Sequence, residues 1–458
     1  MFLRFAFLRA FLHVLGFFLG DRYNYSKQIE GNFKYMDTGE KVWWGYKSVV
    51  RQIEKAEKGK GIEEYFANQD LRFYTGEEFV PKNRVFITAG GDLSASEMIF
   101  PENTGDLWED ILEFYFSGDI VCANLEAPVV PTKPPVGVPG MCLTAPMINT
   151  SEKMFDRFIY GGRGVNFFAT ANNHSLDQGE QGLLDTLDFL DARGYPHVGT
   201  ARTQEEQDDI PIVEKNGIKT AFISYTYSLN GLDPIVGKEY MTNVIRLNKP
   251  DEDLSLIQRH VKIAREKDAH IVVAMLHWSL EFETYPIENV IKMGHRVMEC
   301  GVDVILGGHP HVAQPMEKYR FYDPIQQREK EGLIIYSLGE LVSLNLFSKN
   351  SRLAMVVKIE LTEGVQRGNT LVKITDLKVL PIYIHYKELG KGKSQYKILD
   401  LMKTLRNLEQ DRNPHGFSEG EIKELRRLKR LFFEKILPKH SCGLVGNGSL
   451  EGELLCIV

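Results

Sequence analysis

The sequence predicts an α/β protein, a sheet flanked by helices, and three observations predict it. Short apolar runs alternate with helical periodicity through the middle of the 458-residue chain, the order expected of strands feeding crossover helices. Five of those runs end in a polar turn: RVFITAGGD, DIVCANLE, VNFFATANNH, IVVAMLHW and VDVILGGHPH. The polar residues at those ends, Asp92, Glu126, Asn173, His277, His309 and His311, are carboxylate, amide and imidazole donors. An open sheet presents side chains in this way at its strand ends, and donors of these types bind Mn, Fe, Zn or similar divalent ions.

Residues 1–19, MFLRFAFLRAFLHVLGFFL, are apolar but carry Arg4, Arg9 and His13. A secretory leader wants an uninterrupted apolar centre and a small-residue cleavage site, and neither is clear here. A spanning helix needs about 20 apolar residues with few charges. Two readings stand, a membrane-associated helix and a helix docked on a soluble domain. Arg9 favours docking, because a charge within an apolar span costs about 2.5–3.5 kcal/mol on the insertion scale. Residues 20–83 are polar, aromatic and rich in Lys and Glu, with one helix expected at Val49–Lys58.

The main domain opens at Arg84–Ala89, a strand. Leu107–Phe116 reads as a helix, with Leu107, Ile111, Leu112 and Tyr115 on one face. Strands are expected at Ile120–Ala123, Asn166–Thr170, Thr220–Tyr227, Ile271–Leu276, Val302–Leu306 and Leu333–Ser337. Helices are expected at Gly179–Arg193, Leu254–Lys267 and Ile287–Glu299 from their apolar spacing. The Pro-rich loop Ala127–Pro146 follows Glu126 directly and either roofs the site or crosses the surface. Beyond Ser351, Ala354–Leu361 and Thr370–Tyr386 read as a hairpin joined by TEGVQRGN. Helices follow at Lys397–Asp411 and Glu419–Leu437, the second opened by a Ser418/Glu421 capping box. That second helix is basic along its length, which reads as a solvated face before a partner or membrane surface. The divisions are therefore residues 1–83, an apolar helix and extension; 84–390, the main domain; and 391–458, a helical tail.

Composition narrows the function. At 43% hydrophobic and 26% charged the chain is an ordinary globular one. A net charge of −7 argues against a nucleic-acid partner, but not against a small anionic substrate at a metal site. None of the five cysteines forms a CxxC pair, which argues against a thiolate zinc site. Cys442 and Cys456 could pair in the tail.

GHPHV at Gly308–Val312 is the strongest local signal, two histidines framed by Gly and Pro at a strand end. ANNHSLDQG adds Asn173, whose other reading is a helix cap or Asx turn. His277, Glu126 and Asp92 are each weak alone; their recurrence at equivalent positions carries the argument. Arg202, in GTART, could hold an anionic group as a fork, or be a surface arginine.

Taken in order, GD, NLE, NNHxxDxG, HW, GxHPHV and YSLG resemble the CapA family of capsule and poly-γ-glutamate synthesis proteins, itself similar to the calcineurin-like metallophosphoesterases. The resemblance covers residues 84–342. It implies a two-sheet sandwich flanked by helices (αββα) with one or two metal ions at the strand ends. By position, Asp92 and His311 would hold one ion, Glu126 would bridge, and Asn173, His277 and His309 would hold the second. His174 would be the general acid or base, oriented by Asp177; Asn124 and Arg202 would hold substrate. The implied function is a metal-dependent, phosphoesterase-like hydrolase in synthesis or export of a capsule or poly-γ-glutamate polymer. Its partners would be an anionic polymer or phosphoester and polymer synthase subunits, with no nucleic acid. Its place would be the bacterial cytoplasm or a membrane reached through residues 1–19. The alternative is a non-catalytic accessory that binds the polymer or its synthase. The sequence departs from the family where metallophosphoesterases carry DxH, here Asp92-Leu93-Ser94, which leaves one metal position a ligand short. It departs again at His277-Trp278-Ser279 in place of HWG, and at Ser337-Leu338-Gly339-Glu340-Leu341 in place of SLGNF. Glu340 puts an extra carboxylate near the site, to bind metal or repel an anion.

Overall fold

Strand β9 (Ile271–His277) shows how the sequence builds the core. Ile271, Val273 and Met275 enter one apolar cluster, and Val272, Ala274 and Leu276 enter another. A strand whose two faces are both buried must be apolar throughout, which is why IVVAML is unbroken. The structure is a computed structural model that describes residues 9–15, 34–94, 98–137, 147–160, 162–343, 345, 348–437 and 456–457.

Two sheets pack face to face. The six-stranded sheet runs β11 (Met316–Asp323), β12 (Arg328–Ile335), β10 (Val304–Gly308), β9, β8 (Ile218–Thr226), β7 (Ile212–Lys215). Its centre, β12-β10-β9-β8, is parallel and its two edge strands are antiparallel. The nine-stranded sheet has the path β16 (Lys393–Asp400), β15 (Asn369–Gly390), β14 (Leu353–Gln366), β1 (Val80–Leu93), β2 (Ile120–Leu125), β5 (Phe167–Ala169), β6 (His197–Val198). β13 (Glu340–Val342) pairs beside β1 and β17 (Cys456–Ile457) beside β15. Here β1, β2, β5 and β6 are parallel. A separate two-stranded hairpin joins β3 (Ile159–Tyr160) to β4 (Arg163–Gly164).

The inter-sheet core holds Val85, Ile87, Cys122 and Phe167 from one sheet and Phe222, Val273, Leu306 and Leu333 from the other. Phe167 and Phe222 stack across it at 4.1 Å between ring centroids. Helices Ser255–Glu266 and Glu288–Glu299 cover the outer face of the six-stranded sheet. Trp108, Tyr115, Phe155 and Leu190 cover the outer face of the other. The result is the expected sandwich of two sheets between helices. Helices Leu401–Glu409 and Glu419–Leu431 insert Leu401, Leu405, Leu425, Leu428 and Leu431 into the inter-sheet core beside β14 and β15. Burial of each such side chain contributes about 1.5–3 kcal/mol. Among the described residues no helix is long and apolar enough to cross a membrane. Most of residues 1–19, the loop section 138–146, and Cys442 lie outside the described residues.

Several elements differ from expectation. No helix forms at Val49–Lys58; helices run over Thr38–Val49 and Ile62–Ala67 instead. Asp37 and Glu40 form a capping box that starts the first of these. Ile53 instead pairs with the 282–284 segment, its N–H donating to the Phe282 carbonyl and its carbonyl accepting from Thr284 N, so tertiary pairing overrides helical periodicity. Residues 397–400, expected to begin a helix, complete β16, and Asp400 caps the helix that follows. Ile398 and Leu399 alternate between two apolar clusters, a strand period that a helix could not satisfy. Within Leu107–Phe116 only Leu112–Tyr115 is α-helical. The capping box at Ser418 and Glu421 is present, and the helix it starts ends in a π turn at Phe432–Ile436.

The glycines of GGD and GGH have a packing cause. A Cβ on Gly91 would lie 1.7 Å from the Gly339 carbonyl oxygen, and one on Gly308 would lie 2.6 Å from Asp92 Oδ1. Gly91→Ala should therefore push β1 from β13 and destabilise the fold by at least about 1–3 kcal/mol, the usual cost of overpacking. Urea denaturation reads this directly, and an unchanged midpoint would show that the two strands can part without cost.

Candidate metal centre

Both sheets deliver the carboxyl ends of their parallel strands to one place. β1 ends on Asp92, β2 leads through Asn124 to Glu126, and β5 leads to Asn172, Asn173 and His174. From the other sheet β9 ends on His277, and β10 leads to His309 and His311. Strand ends of parallel sheets are where open α/β folds bind ligands.

Ligand atoms of Asp92, Glu126 and His277 lie within 4.8 Å of one another, and so do those of Glu126, His309 and His311. Glu126 belongs to both groups. His277 Nε2 is 3.2 Å from Glu126 Oε1 and 3.0 Å from Asn173 Oδ1. Asp92 Oδ1 accepts from Asn124 Nδ2 at 2.8 Å, and Asp92 Oδ2 accepts from the backbone N–H of His309 at 2.9 Å. All of Asp92, Glu126, Asn173, His277 and His309 are buried. His309 and His311 both sit at positive φ, 95° and 58°. Such conformations cost roughly 1–3 kcal/mol for residues other than glycine and gather at functional sites.

These residues fit metal ions on an observation of their own. Both carboxylate oxygens of Glu126, Nδ1 of His309 and Nδ1 of His311 are buried without a hydrogen-bond partner. A buried polar atom left unpaired costs free energy, and a cation between these atoms would satisfy them together. Burial first, and then neighbouring carboxylates, push Asp92 up to about 6. Burial pushes Glu126 up to about 7, against the pull of His311 and His174. Burial draws His277 down to about 3 despite Asp92, and draws His309 well below the imidazole range. At His311 burial is outweighed by Glu340, Glu281 and Glu126, which hold the ring's affinity for a proton high. Neutral imidazoles at His277 and His309 are the form that donates to metal.

By proximity His277 stands with Asp92 and Glu126, and His309 and His311 with Glu126, while Asn173 Oδ1 lies beside His277 Nε2. His174 lies at the edge of the cluster, its Nδ1 2.7 Å from Asp177 Oδ2, and Asp177 also accepts the backbone N–H of Ile148. Asn124 bridges Asp92 and His277 by hydrogen bonds of 2.8 and 3.2 Å. It orients ligands from within the cluster. Arg202 stands apart. Its guanidinium is engaged by Asp188, Asp191 and Glu206, so an anion would meet a fork that carboxylates already hold.

Sequence reasoning missed four participants. Tyr227 Oη lies 2.9 Å from His309 Nε2, the ring edge opposite the unpartnered Nδ1. Asn230 accepts from Asn173 Nδ2 at 3.0 Å and approaches His174 Nε2 at 3.3 Å. Both follow β8, whose FISYTYSLN has the same apolar-run-then-polar form as the five runs above. It lacked a carboxylate or imidazole. Glu281 lies 3.4 Å from His311 Nε2 and was within reach of the HWSLE motif. Trp44 donates to Glu281 from the helix Thr38–Val49, a contact no local motif signals.

The fold and site thus define a two-sheet α/β protein flanked by helices, with a carboxylate–imidazole cluster able to hold metal. The family model described as "Bacterial capsule synthesis protein PGA_cap" matches residues 59–345, and the chain belongs to that family. It is 27% identical over 179 residues to the capsule biosynthesis protein CapA of Bacillus anthracis, covering 39% of this chain and 40% of that one. It is 28% identical over 174 residues to the PGA biosynthesis protein CapA of Bacillus subtilis (strain 168), 38% of this chain and 41% of the relative. A probable polyglutamine synthesis accessory protein of Mycobacterium tuberculosis matches at 24% over 155 residues, 33% and 41% of the two chains. The matched part is thus about two fifths of the length of these curated relatives. A crystal structure of a hypothetical protein from Thermus thermophilus superposes with a TM-score of 0.35 at 12% identity, over 65% of this chain and 99% of that one. That likeness is too slight to carry an argument.

Proposed function

We propose that this protein is a metal-dependent hydrolase of phosphoester or similar anionic bonds, acting in synthesis or export of a capsule or poly-γ-glutamate polymer. Glu126 carries the proposal: a carboxylate shared by two donor groups, buried, with neither oxygen hydrogen-bonded. Asp92, Glu126, His277, His309 and His311 would hold one or two divalent ions, Mn, Fe or Zn, with Asn173 contributing its carbonyl. Two bound ions supply an activated hydroxide and neutralise charge on a transferring oxyanion.

The remaining work falls to protein groups. Asp177 fixes the His174 ring through Nδ1, and Nε2, which the Asn230 amide approaches, is the edge for proton exchange with a departing oxygen. Tyr227 and Asn124 fix the rings of His309 and His277. The polymer and its synthase are the proposed partners, on the strength of the family.

The test is elemental analysis of the purified protein together with a screen on generic phosphodiesters and phosphomonoesters. About two transition-metal equivalents with metal-dependent turnover are expected. Metal near zero and no turnover would overturn the hydrolase reading in favour of a polymer- or synthase-binding accessory.

A further inference from the structure

The His311 side of the cluster contains more carboxylate than the proposed ligand set uses. Glu340 opens β13 and lies in register with Asp92 across a parallel pair, so the sheet itself sets it beside the metal ligands. Glu340 Oε1 is 2.8 Å from His311 Nδ1. With the ring protonated that approach is an ion pair, and the other oxygen, Glu340 Oε2, is buried with no hydrogen-bond partner. Once the ring is neutral, two donor atoms about 3 Å apart have the separation of neighbouring ligands on an ion with bonds of about 2.1 Å.

Glu281 approaches the same imidazole, its Oε1 3.4 Å from His311 Nε2. Its other oxygen takes the indole N–H of Trp44. One helical turn on, Lys47 holds Glu283 at 2.7 Å. Both contacts come from helix Thr38–Val49, which precedes the stretch matched by the family model. This chain's own N-terminal extension thus fixes the 281–283 segment against the cluster.

We propose that Glu340 joins Glu126, His309 and His311 as a ligand of their metal position, while Glu281 orients the His311 ring from its Nε2 edge. The proposal rests on the metal-centre reading above and deepens it. Two carboxylates and two imidazoles admit Mn, and exchanging a carboxylate for imidazole shifts the preference toward Zn. Glu340 is then a ligand rather than a group that repels an anionic substrate. Trp44 is a positioning residue that acts through Glu281.

The experiment uses the full chain, stripped with chelator and titrated with Mn by equilibrium dialysis, with metal read by elemental analysis and free Mn by electron paramagnetic resonance. Wild type should take up about two equivalents. Glu340→Gln should retain one and bind the other at least about tenfold more weakly. Glu281→Gln should weaken the same equivalent, and Trp44→Phe should weaken it less. Glu340→His should regain the lost equivalent with Zn in place of Mn. Circular dichroism of the stripped proteins controls for folding; if the Gln variant fails it, Glu340→Asp, which keeps the charge but draws the donor back, should show the same loss. Two equivalents of unchanged affinity in Glu340→Gln would overturn this inference and leave the proposed function standing. A wild type that binds no metal would overturn both.

Discussion

Glu126→Gln is expected to strip the protein of its metal while leaving the metal-free fold more stable than wild type above neutral pH. The substitution preserves shape and removes the one carboxylate common to both donor groups. The stability effect follows from where Glu126 sits. Burial raises its pKa from the ordinary 4.5 to about 7, so the folded protein binds this proton more tightly than the unfolded chain. Its contribution is intact below pH about 4.5 and is lost as pH rises through about 7. At about 1.4 kcal/mol per unit, the metal-free wild type should lose about 3 kcal/mol between those limits. Asp92, raised to about 6, adds a smaller slope of the same sign. Glu126→Gln removes the larger part. Thermal melts of chelator-treated protein at about pH 5 and about pH 8 would show it, with elemental analysis alongside. Metal retained by the variant, or an undiminished pH slope, would count against Glu126 as the shared ligand. Added metal should stabilise the wild type more at the higher pH, because it relieves a charge that exists only there.

How much of this was legible in the sequence depended on the range over which each signal acts. His277, His309 and Asp92 announced themselves because an apolar run ending in Gly, Asp or His is a local pattern with one physical cause, a buried strand that surfaces at its end. The glycines beside them were legible as turn formers, but their close packing against Gly339 and Asp92 needed the second strand in place. Ile53 misled because its helical spacing is local and its partner, the 282–284 segment, is distant in sequence. Trp44 and Glu281 meet across an equally long separation and left no mark on either motif. Arg202 was read by residue type, but carboxylates of the neighbouring helices had already taken its charge. The tail helices were legible in period and capping; that they fill the inter-sheet core was not, because an amphipathic face does not name what it packs against. The pairing of His277 with Asp92 is a product of side-chain reach across two sheets, which strand order alone leaves open.

His174→Ala is expected to reduce turnover by about 10²–10⁴-fold and leave metal content close to wild type, whereas His309→Ala should reduce both. His174 is bound to Asp177 rather than to the unpartnered atoms of the cluster, so its loss removes a proton carrier and not a ligand. Burial disfavours the charged ring, but the Asp177 carboxylate at 2.7 Å outweighs it and holds the pKa above the ordinary imidazole value of 6.5. If the ring protonates the leaving oxygen, the rate must fall as pH rises through that raised pKa. Asp177→Asn keeps an acceptor for the ring and removes the charge, so the falling limb of the kcat/KM profile should move to lower pH with metal content unchanged. The profile separates this role from a structural one: a merely looser ring would lower the rate at every pH without moving the limb. Equal metal loss in the His174 and His309 variants would make His174 a ligand, and a limb that stays in place in Asp177→Asn would assign the proton to another group.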